Sequence, residues 1–450
     1  MPYGSSGKLP SESASKLGHL AIIQSEWVRS LVNDFETATT EPSLGDTSIW
    51  QDFNLPGITP LKYIWAVDGS FVSVKTDPPT GKEVAFVKTA LLSVDKSKMD
   101  RIDKLNPHPL LLQDIMSESA LFHATVLPLK NVKTSLGNNY DAVRNIIFDS
   151  IKADQNGEYF ETLKWLAYEK WHRTSGSSPS FDCPHCEKTI EGLPFNTDKS
   201  ICPLCKKPVF LTDMIGFHLD MNEDSAPESV ASSYMLILET LMLFTIIRIL
   251  WNHSDKKVFS DTLFIKDGPL TLRSQYSKLV PNIRHFIEYT KQKKRPIHVI
   301  GQEKTGIFFD HLMSIAKYIK PKETDDSPTI AVLSHKYVRQ EVYRSPDLAN
   351  PYGKRTNWGE KIYVKLDPDF SLVLNIPTGE YYDDLGFPTI SDIIGVDRIM
   401  ATLPSLISRK FESALFPIEL ANGVASMSSY PSAKVLERFM EHQKNLDSSW

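Results

Sequence analysis

The longest apolar run in the chain predicts its central helix. The stretch YMLILETLMLFTIIRILW, Tyr234–Trp251, contains only two charged residues, Glu239 and Arg248. A carboxylate buried in such a helix is destabilising unless a cation pairs with it. Arg248 lies nine residues beyond Glu239 and therefore not on the next turn of the helix. The pattern indicates a second partner for Glu239, or a functional role.

Two further apolar runs end in the dipeptide Asp-Gly. They are YIWAVDGS, which ends at Asp68, and TLFIKDGPL, which ends at Asp267. Each is predicted to be a strand that breaks at the glycine, and α/β folds place functional groups at the carboxyl ends of strands. We expect Asp68, Glu239 and Asp267 to converge and hold a divalent metal ion. The alternative is two ordinary Asp-Gly turns and a glutamate paired with an arginine.

Alternating strand and helix patterns predict an α/β fold with a mixed sheet and flanking helices. Leu61–Thr76 is predicted to be a strand, a break at Asp-Gly and a second strand. The other predicted strands and helices include residues 21–38 (helix), 82–94 (strand), 141–154 (helix), 158–174 (helix), 297–301 (strand), 329–343 (strand, then helix or loop), 350–377 (hairpin), 396–427 (two helical pieces around Pro417) and 431–446 (helix).

All four cysteines lie in one compact module. Two Cys-Pro-x-Cys knuckles, Cys183 with Cys186 and Cys202 with Cys205, are separated by fifteen residues. Such spacing is typical of a tetrahedral zinc site, and four thiolates leave no open position for a substrate. We therefore expect a structural zinc ribbon, with a redox pair or unliganded thiols as the alternative.

The predicted hairpin at residues 350–377 carries basic and aromatic side chains in its loop. Lys354, Arg355, Trp358 and Lys361 are of the types that contact a nucleic-acid backbone. A merely solvated loop explains the pattern equally well.

Composition narrows the picture further. The chain has 450 residues, 41% of them hydrophobic and 23% charged, and a net charge of −5. A folded protein of one or more domains is expected, and any nucleic-acid surface must be local. The polar N-terminus predicts no signal peptide, and Glu239 and Arg248 argue against a membrane span. Because no cysteine is left for disulfides, a cytoplasmic location is expected.

The composition shifts suggest four segments. Residues 1–55 are predicted to be an N-terminal helical segment with a disordered start. Residues 56–175 and 216–450 would form the two parts of one domain, and residues 176–215 the inserted ribbon.

The order of these segments resembles the NurA family of prokaryotic nucleases, in particular bacterial members that carry a zinc ribbon. The motifs are AVDGS, the ribbon followed by FLTD, ILETLML, FIKDGPL, GQEKTG, YGKRTNWGEKIYV and FPIELANGVAS with PSAKVLERF after it. They cover most of the chain from about residue 60 to 440. No single motif would suffice.

This resemblance implies an RNase H-like core in which acidic residues hold Mn²⁺ or Mg²⁺. The catalytic and metal-binding residues would be Asp68, Glu239 and Asp267. Lys304 of GQEKTG would neutralise charge on the phosphate, and a surface lysine without a catalytic role is the alternative. The family's C-terminal motif has a Tyr before the Pro and a His soon after it. Here Phe416 precedes Pro417, and Asn422 is the candidate for the His position. An amide can bind a hard metal ion but cannot act as a base.

The resemblance also implies a homodimer that acts on DNA with a HerA-like hexameric ATPase, in DNA end processing and repair or in antiviral defence. The expected activity is that of a Mn- or Mg-dependent deoxyribonuclease. One alternative is a catalytically weakened DNA-binding or adaptor subunit, which the missing Tyr and His favour. A zinc-ribbon binding protein unrelated to nucleases is another, and it leaves the two Asp-Gly motifs unexplained.

Overall fold

The chain divides into two units, residues 1–48 and 49–450. The computed structural model describes residues 22, 24–34, 49–76, 81–94, 99, 120–316, 318–319, 328–344, 351–367, 369–407, 414–427 and 434–440. In the first unit, helix α1 (Glu26–Asp34) has no buried residue. The disordered start predicted for the N-terminus lies outside the described residues.

The second unit is built on a nine-stranded mixed sheet in the order β1-β11-β12-β13-β10-β9-β2-β3-β4. Four shorter strands, β5 to β8, form two separate hairpins. The strands are β1 (Gln51–Asp52), β2 (Tyr63–Lys75), β3 (Glu83–Val94), β4 (Ala120–Lys130), β5 (Phe181–Asp182), β6 (Thr189–Ile190), β7 (Lys199–Ile201), β8 (Pro208–Phe210), β9 (Thr262–Asp267), β10 (His298–Glu303), β11 (Thr329–Val332), β12 (Glu360–Asp367) and β13 (Phe370–Ile376).

Two pairings in the sheet are parallel, β2 with β9 and β9 with β10. The remaining neighbours in the sheet are antiparallel. Strand β9 is buried at every position except its last, which is typical of an interior strand covered on both faces. The α/β class and the large mixed sheet with flanking helices are confirmed.

Helices cover both faces of the sheet. The longer ones are α2 (Asn139–Ala153), α3 (Glu158–Ala167), α4 (Glu228–Asn252), α5 (Val280–Gln292), α6 (Ile307–Ala316), α7 (Val396–Thr402) and α8 (Phe416–Ala425). Helices α2 to α5 share one apolar core with the sheet, and α7 and α8 share the core on the opposite face. Residues 434–440 are also helical.

Helix α4 is the central helix predicted from the apolar run. It has a mean hydropathy of 1.9 over its most apolar window, of which 83% is buried inside the protein. A helix that is apolar on all sides has to be covered on all sides. Here the sheet and the neighbouring helices cover it, so α4 is a core helix of the folded unit.

The structure corrects several details of the sequence prediction. Strand β2 does not break at Asp68-Gly69, because β3 pairs with it without interruption from Ile64 to Lys75. Pro417 begins helix α8 and does not divide a longer helix. The turn of the β12–β13 hairpin follows Asp367, so Lys354, Arg355 and Trp358 precede the hairpin, Lys361 lies in β12, and none of them forms the hairpin loop. Strand β4 was not predicted.

Candidate active site

The two aspartates of the Asp-Gly motifs lie side by side. Strands β2 and β9 run parallel with Val67 opposite Lys266, so the next residues along the two strands are Asp68 and Asp267. Side chains alternate between the faces of a strand. Ala66 and Ile265 belong to the core beneath α8, and their parity places both aspartates on that same face.

Glu239 approaches from the other face of the sheet. It lies in the middle of α4 and is only 2% exposed. Gly69 makes this approach possible, because a Cβ atom at that position would lie 2.6 Å from Glu239 Oε1. The pairing of β2 with β9 stops at Val67. No β2–β9 pairing therefore lies between the two aspartates on one face and Glu239 on the other.

Lys266 is the cation that pairs with Glu239. Its Nζ donates to Glu239 Oε2 at 2.5 Å and to the backbone carbonyl of Asp267 at 2.8 Å. The sequence left Arg248 as a candidate partner, but Arg248 pairs with Glu158. The long apolar helix therefore tolerates its glutamate because a fully buried lysine from β9 compensates the charge.

A second lysine lies on the α8 side. Lys304 follows β10, and its Nζ is 3.1 Å from Asp267 Oδ1 and 3.6 Å from Glu419 Oε1. Glu419 is on the first turns of α8, and sequence reasoning missed it. The signal that could have found it is the FPIEL motif, where the glutamate follows the helix-starting proline by two residues.

Asn422 is the candidate for the missing histidine. It is exposed on α8, one turn beyond Glu419. The residue that α8 brings to Lys304 is thus a carboxylate and not the amide.

The carboxylates raise one another's proton affinity. Burial, then the charges of Asp267 and Glu239, raise the pKa of Asp68 to about 8, although the Gly69 N–H and Lys304 oppose the shift. Burial also raises the pKa of Glu239 in spite of Lys266. Burial lowers the pKa of Lys304, but Asp267 and then Glu419 outweigh it and raise that pKa overall.

The cluster has a deficit of positive charge when all its groups are ionised. Four carboxylates, those of Asp68, Glu239, Asp267 and Glu419, face two ammonium groups. A proton or a cation is therefore needed near Asp68 at neutral pH. Carboxylate oxygens are the donors that hard divalent ions take.

The carboxylate oxygens of Asp68, Glu239 and Asp267 are the type of ligand that a hard divalent ion takes, but they are spaced too widely to share one ion as they stand. The oxygens of Asp68, Glu239 and Asp267 do not form a group of ligand atoms all within 4.8 Å, whereas the four cysteine thiols do. Asp68 and Asp267, adjacent on the parallel strands, are the residues that could hold such an ion, and Lys304 already lies 3.1 Å from Asp267 Oδ1. Glu239 lies across the sheet and is held by Lys266.

The cysteine knuckles form a compact four-thiol cluster. Cys183 Sγ lies 3.7 Å from Cys205 Sγ, and Cys186 Sγ lies 3.9 Å from Cys202 Sγ. A tetrahedral ion with metal–sulfur bonds of about 2.3 Å requires sulfur–sulfur separations of about 3.8 Å. The backbone N–H groups of Cys205 and Leu204 lower the pKa of Cys202 to about 7. This cluster can bind a metal ion such as zinc.

The ribbon is anchored to the main domain. Its Phe181, Leu193 and Phe210 belong to the same apolar core as α2 and α4. Arg144 of α2 donates from Nε and Nη2 to the two carboxylate oxygens of Asp213, at 2.9 and 2.8 Å. The residues around the four-thiol cluster are therefore part of the packing of the main core.

The four candidate nucleic-acid contacts separate into two pairs. Lys354 and Arg355 are exposed. Trp358 and Lys361 are each 2% exposed, and Lys361 pairs with Glu303. The prediction is wrong for Trp358 and Lys361, because Trp358 packs against Phe244 in the core and the charge of Lys361 is already compensated.

No protein-family model matches the chain, and no curated protein matches it.

Proposed function

We propose that the chain is a metal-dependent deoxyribonuclease whose active site is built on Asp68 and Asp267. The observation that carries the proposal is the placement of these two carboxylates, buried Asp68 and partly exposed Asp267, at adjacent positions of parallel strands. A third carboxylate, Glu239, couples to them electrostatically. Clustered carboxylates that outnumber their cation partners, at the end of a parallel strand pairing, are typical of sites for metal-assisted phosphodiester hydrolysis.

The topology around the site supports an RNase H-like core. Strands β2, β3 and β4 form an antiparallel meander, and β2 is joined on its other side to the parallel strands β9 and β10. The aspartates lie on the first strand of the meander and on the parallel strand beside it. This is the arrangement that the resemblance to NurA nucleases implies.

The residues of the chain divide the chemical tasks among them. A bound Mn²⁺ or Mg²⁺ would neutralise charge on the phosphodiester and supply a water of lowered pKa. Asp68 and Asp267 provide the oxygen ligands. Lys304 lies at Asp267 with part of its surface exposed, where it can stabilise negative charge on the scissile phosphate. Lys266 holds Glu239 in place and does not reach solvent.

Exposed cations support DNA as the substrate. Lys354 and Arg355 line a cavity of about 610 Å³ together with Arg173 and Lys278. Segment 270–272, which follows Asp267 in the chain, pairs with segment 356–358. Lys354 and Arg355 therefore lie beside the part of the chain that continues from Asp267. Lysine and arginine side chains arranged in this way contact phosphates.

We further propose that the four cysteines bind zinc and that the protein has the partners and location that the resemblance implies. Zinc is the ion that four thiolates at this spacing favour, and it makes the module a structural zinc ribbon. The HerA-like ATPase, the homodimer, the role in DNA repair or antiviral defence and the cytoplasmic location rest on the resemblance. The expectation of no membrane association agrees with the burial of α4.

The alternative is a catalytically weakened DNA-binding or adaptor subunit. Its support is that Lys266 already neutralises Glu239, while buried Phe416 and exposed Asn422 stand where the NurA family has Tyr and His. With Lys266 in place, one of the three expected ligands is not available to an ion.

The experiment that separates the two functions combines cleavage and binding. Purified protein is incubated with linear, circular and single-stranded DNA in Mn²⁺, Mg²⁺ or chelator, with and without a co-expressed HerA-like ATPase. DNA binding is measured in parallel by fluorescence anisotropy. Metal-dependent degradation supports the nuclease. Binding without degradation under every condition contradicts it and supports the adaptor.

A further inference from the structure

A second group of metal-ligand side chains lies outside the candidate active site, where α3 ends beside α5. Glu169 follows α3, His172 is three residues further on, and His285 is on α5. His285 Nδ1 lies 2.9 Å from Glu169 Oε1, and His172 Nε2 lies 3.7 Å from Glu169 Oε2. One ligand atom from each of the three residues falls within 4.8 Å of the others.

The backbone at Glu169 is unusual for a glutamate. It has φ = 52°, in the left-handed region. The N–H of Lys170 donates to the carbonyl of Trp165 and the N–H of Glu169 to that of Leu166, which is the Schellman motif at the end of a helix. Glycine is favoured at this position, because a side chain there is strained in the left-handed conformation.

The strained glutamate has a buried side chain. Glu169 is 4% exposed, and its Oε2 accepts no hydrogen bond. The cation nearest to Oε2 is Arg173, with Nε at 2.6 Å, and the Arg173 side chain is half exposed. Glu169 thus occupies a position where the backbone favours glycine, and its carboxylate contacts the imidazoles of His172 and His285.

We propose that Glu169, His172 and His285 bind a divalent transition-metal ion of the zinc class. Two imidazoles and one carboxylate are a common ligand set for such ions, and tetrahedral bonds of about 2.0–2.1 Å put neighbouring ligand atoms about 3.4 Å apart. Each imidazole lies within about this distance of one Glu169 oxygen, His285 at 2.9 Å from Oε1 and His172 at 3.7 Å from Oε2, and one ligand atom from each residue falls within 4.8 Å of the others. Three protein ligands leave one coordination position for solvent.

The ion would join two helices through residues distant in sequence. His285 is on α5, whereas Glu169 and His172 lie on the segment that leads from α3 to the ribbon. The Trp171 ring packs edge-on against His285 and Phe286 on the same helix. The proposal does not depend on nuclease activity, since none of these residues belongs to the Asp68 cluster.

The test measures zinc bound per chain. The full-length protein is loaded with Zn²⁺, dialysed against buffer with a weak chelator and analysed by elemental mass spectrometry. The wild type is expected to hold one more zinc ion per chain than Glu169→Gly or His285→Ala. Glu169→Gly relieves the backbone strain, so loss of the ion from this variant is not explained by misfolding.

Arg173→Ala is the matched control. It removes the ion pair with Glu169 but leaves all three ligands, and zinc content is expected to equal that of the wild type. Equal zinc content in the wild type, Glu169→Gly and His285→Ala would overturn the proposal and leave Glu169 as the centre of an ion-pair cluster. Loss of zinc from Arg173→Ala alone would also overturn it.

Discussion

The buried pair of Lys266 and Glu239 explains how a carboxylate persists in the most apolar helix of the protein. Both side chains are almost fully buried, and their charged atoms are 2.5 Å apart. Removing one member of such a pair leaves an uncompensated buried charge, whereas replacing both with apolar residues is often nearly neutral.

Lys266→Met is therefore expected to lower the free energy of unfolding by about 3–5 kcal/mol. The double variant Lys266→Met/Glu239→Leu should recover most of that loss. Urea denaturation followed by tryptophan fluorescence measures both.

Lys304→Met is the control for this pair. Lys304 and Asp267 are partly exposed, and removing such a pair is expected to change the unfolding free energy by about 1 kcal/mol or less. An equal loss from Lys266→Met and Lys304→Met would contradict the assignment of Lys266 as the buried counterion.

A buried histidine predicts a loss of stability in mild acid. Burial, and then Arg398, lower the pKa of His298 from 6.5 to about 4. Between these values the unfolded chain binds a proton that the folded chain does not, so stability falls as the pH falls from about 6.5 towards 4.

From pH 7 to pH 5, His298 is expected to contribute about 2 kcal/mol to this loss. His298→Gln should lose that much less stability over the same interval in urea titrations. Exposed His253→Gln is the control and should behave like the wild type. A His298→Gln profile parallel to that of the wild type would refute the assignment.

At the level of single residues, the sequence identified some of the site and not the rest. Asp68, Glu239 and Asp267 could be found because each interrupts or ends an apolar run. Lys266 belongs to one of those runs. Its role depends on the alternation of side chains along β9, which places Lys266 on the face that packs against α4 and the Asp267 side chain on the opposite face. Glu419 could not be placed, because no local pattern shows that α8 lies over the ends of β2 and β9.

Among the secondary-structure elements, strand β2 and helix α4 approach each other closely at Gly69. Gly69 leaves the space that the Glu239 carboxylate and Met235 fill, and an added Cβ would lie 2.6 Å from each. The glycine is thus a packing requirement between strand and helix, and not the turn that the Asp-Gly dipeptide predicted.

Gly69→Ala is expected to lower the unfolding free energy by about 1–3 kcal/mol through this overpacking. It should also displace Glu239, so any metal-dependent activity should fall as well. Gly386→Ala is the control, because its Cβ would come no closer than 3.4 Å to a neighbouring atom. Wild-type stability of Gly69→Ala in urea titrations would show that α4 does not approach β2 as described.

The ribbon hairpins predict a coupling between metal and stability. Because Phe181 and Phe210 belong to the main core, loss of the metal ion should destabilise more than the ribbon itself. Cys202→Ser is expected to lose one zinc ion per chain and to melt several degrees below the wild type in calorimetry. Unchanged melting after loss of zinc would show that the ribbon is an independent appendage.

For the molecule as a whole, the order and type of most elements followed from periodicity. The apolar runs of β2, β9 and α4 predicted buried strands and a buried helix in a fold with a mixed sheet. Which strands become neighbours was beyond local pattern, since β2 pairs with β9 across nearly two hundred residues. The same limit explains why Trp358 and Lys361 were assigned to a surface: their burial is decided by distant parts of the chain.

The central claim is that the carboxylates beside α8 form the active site of a nuclease. The most direct measurement compares Mn²⁺-dependent degradation of linear DNA by the wild type, Asp68→Asn and Glu228→Gln. Glu228 is an exposed residue of α4, eleven residues from Glu239 and so about 16 Å away along the helix.

We expect Asp68→Asn to lose activity by at least about a hundredfold, while Glu228→Gln retains that of the wild type. Equal activity in Asp68→Asn and Glu228→Gln would show that DNA is cleaved at another site.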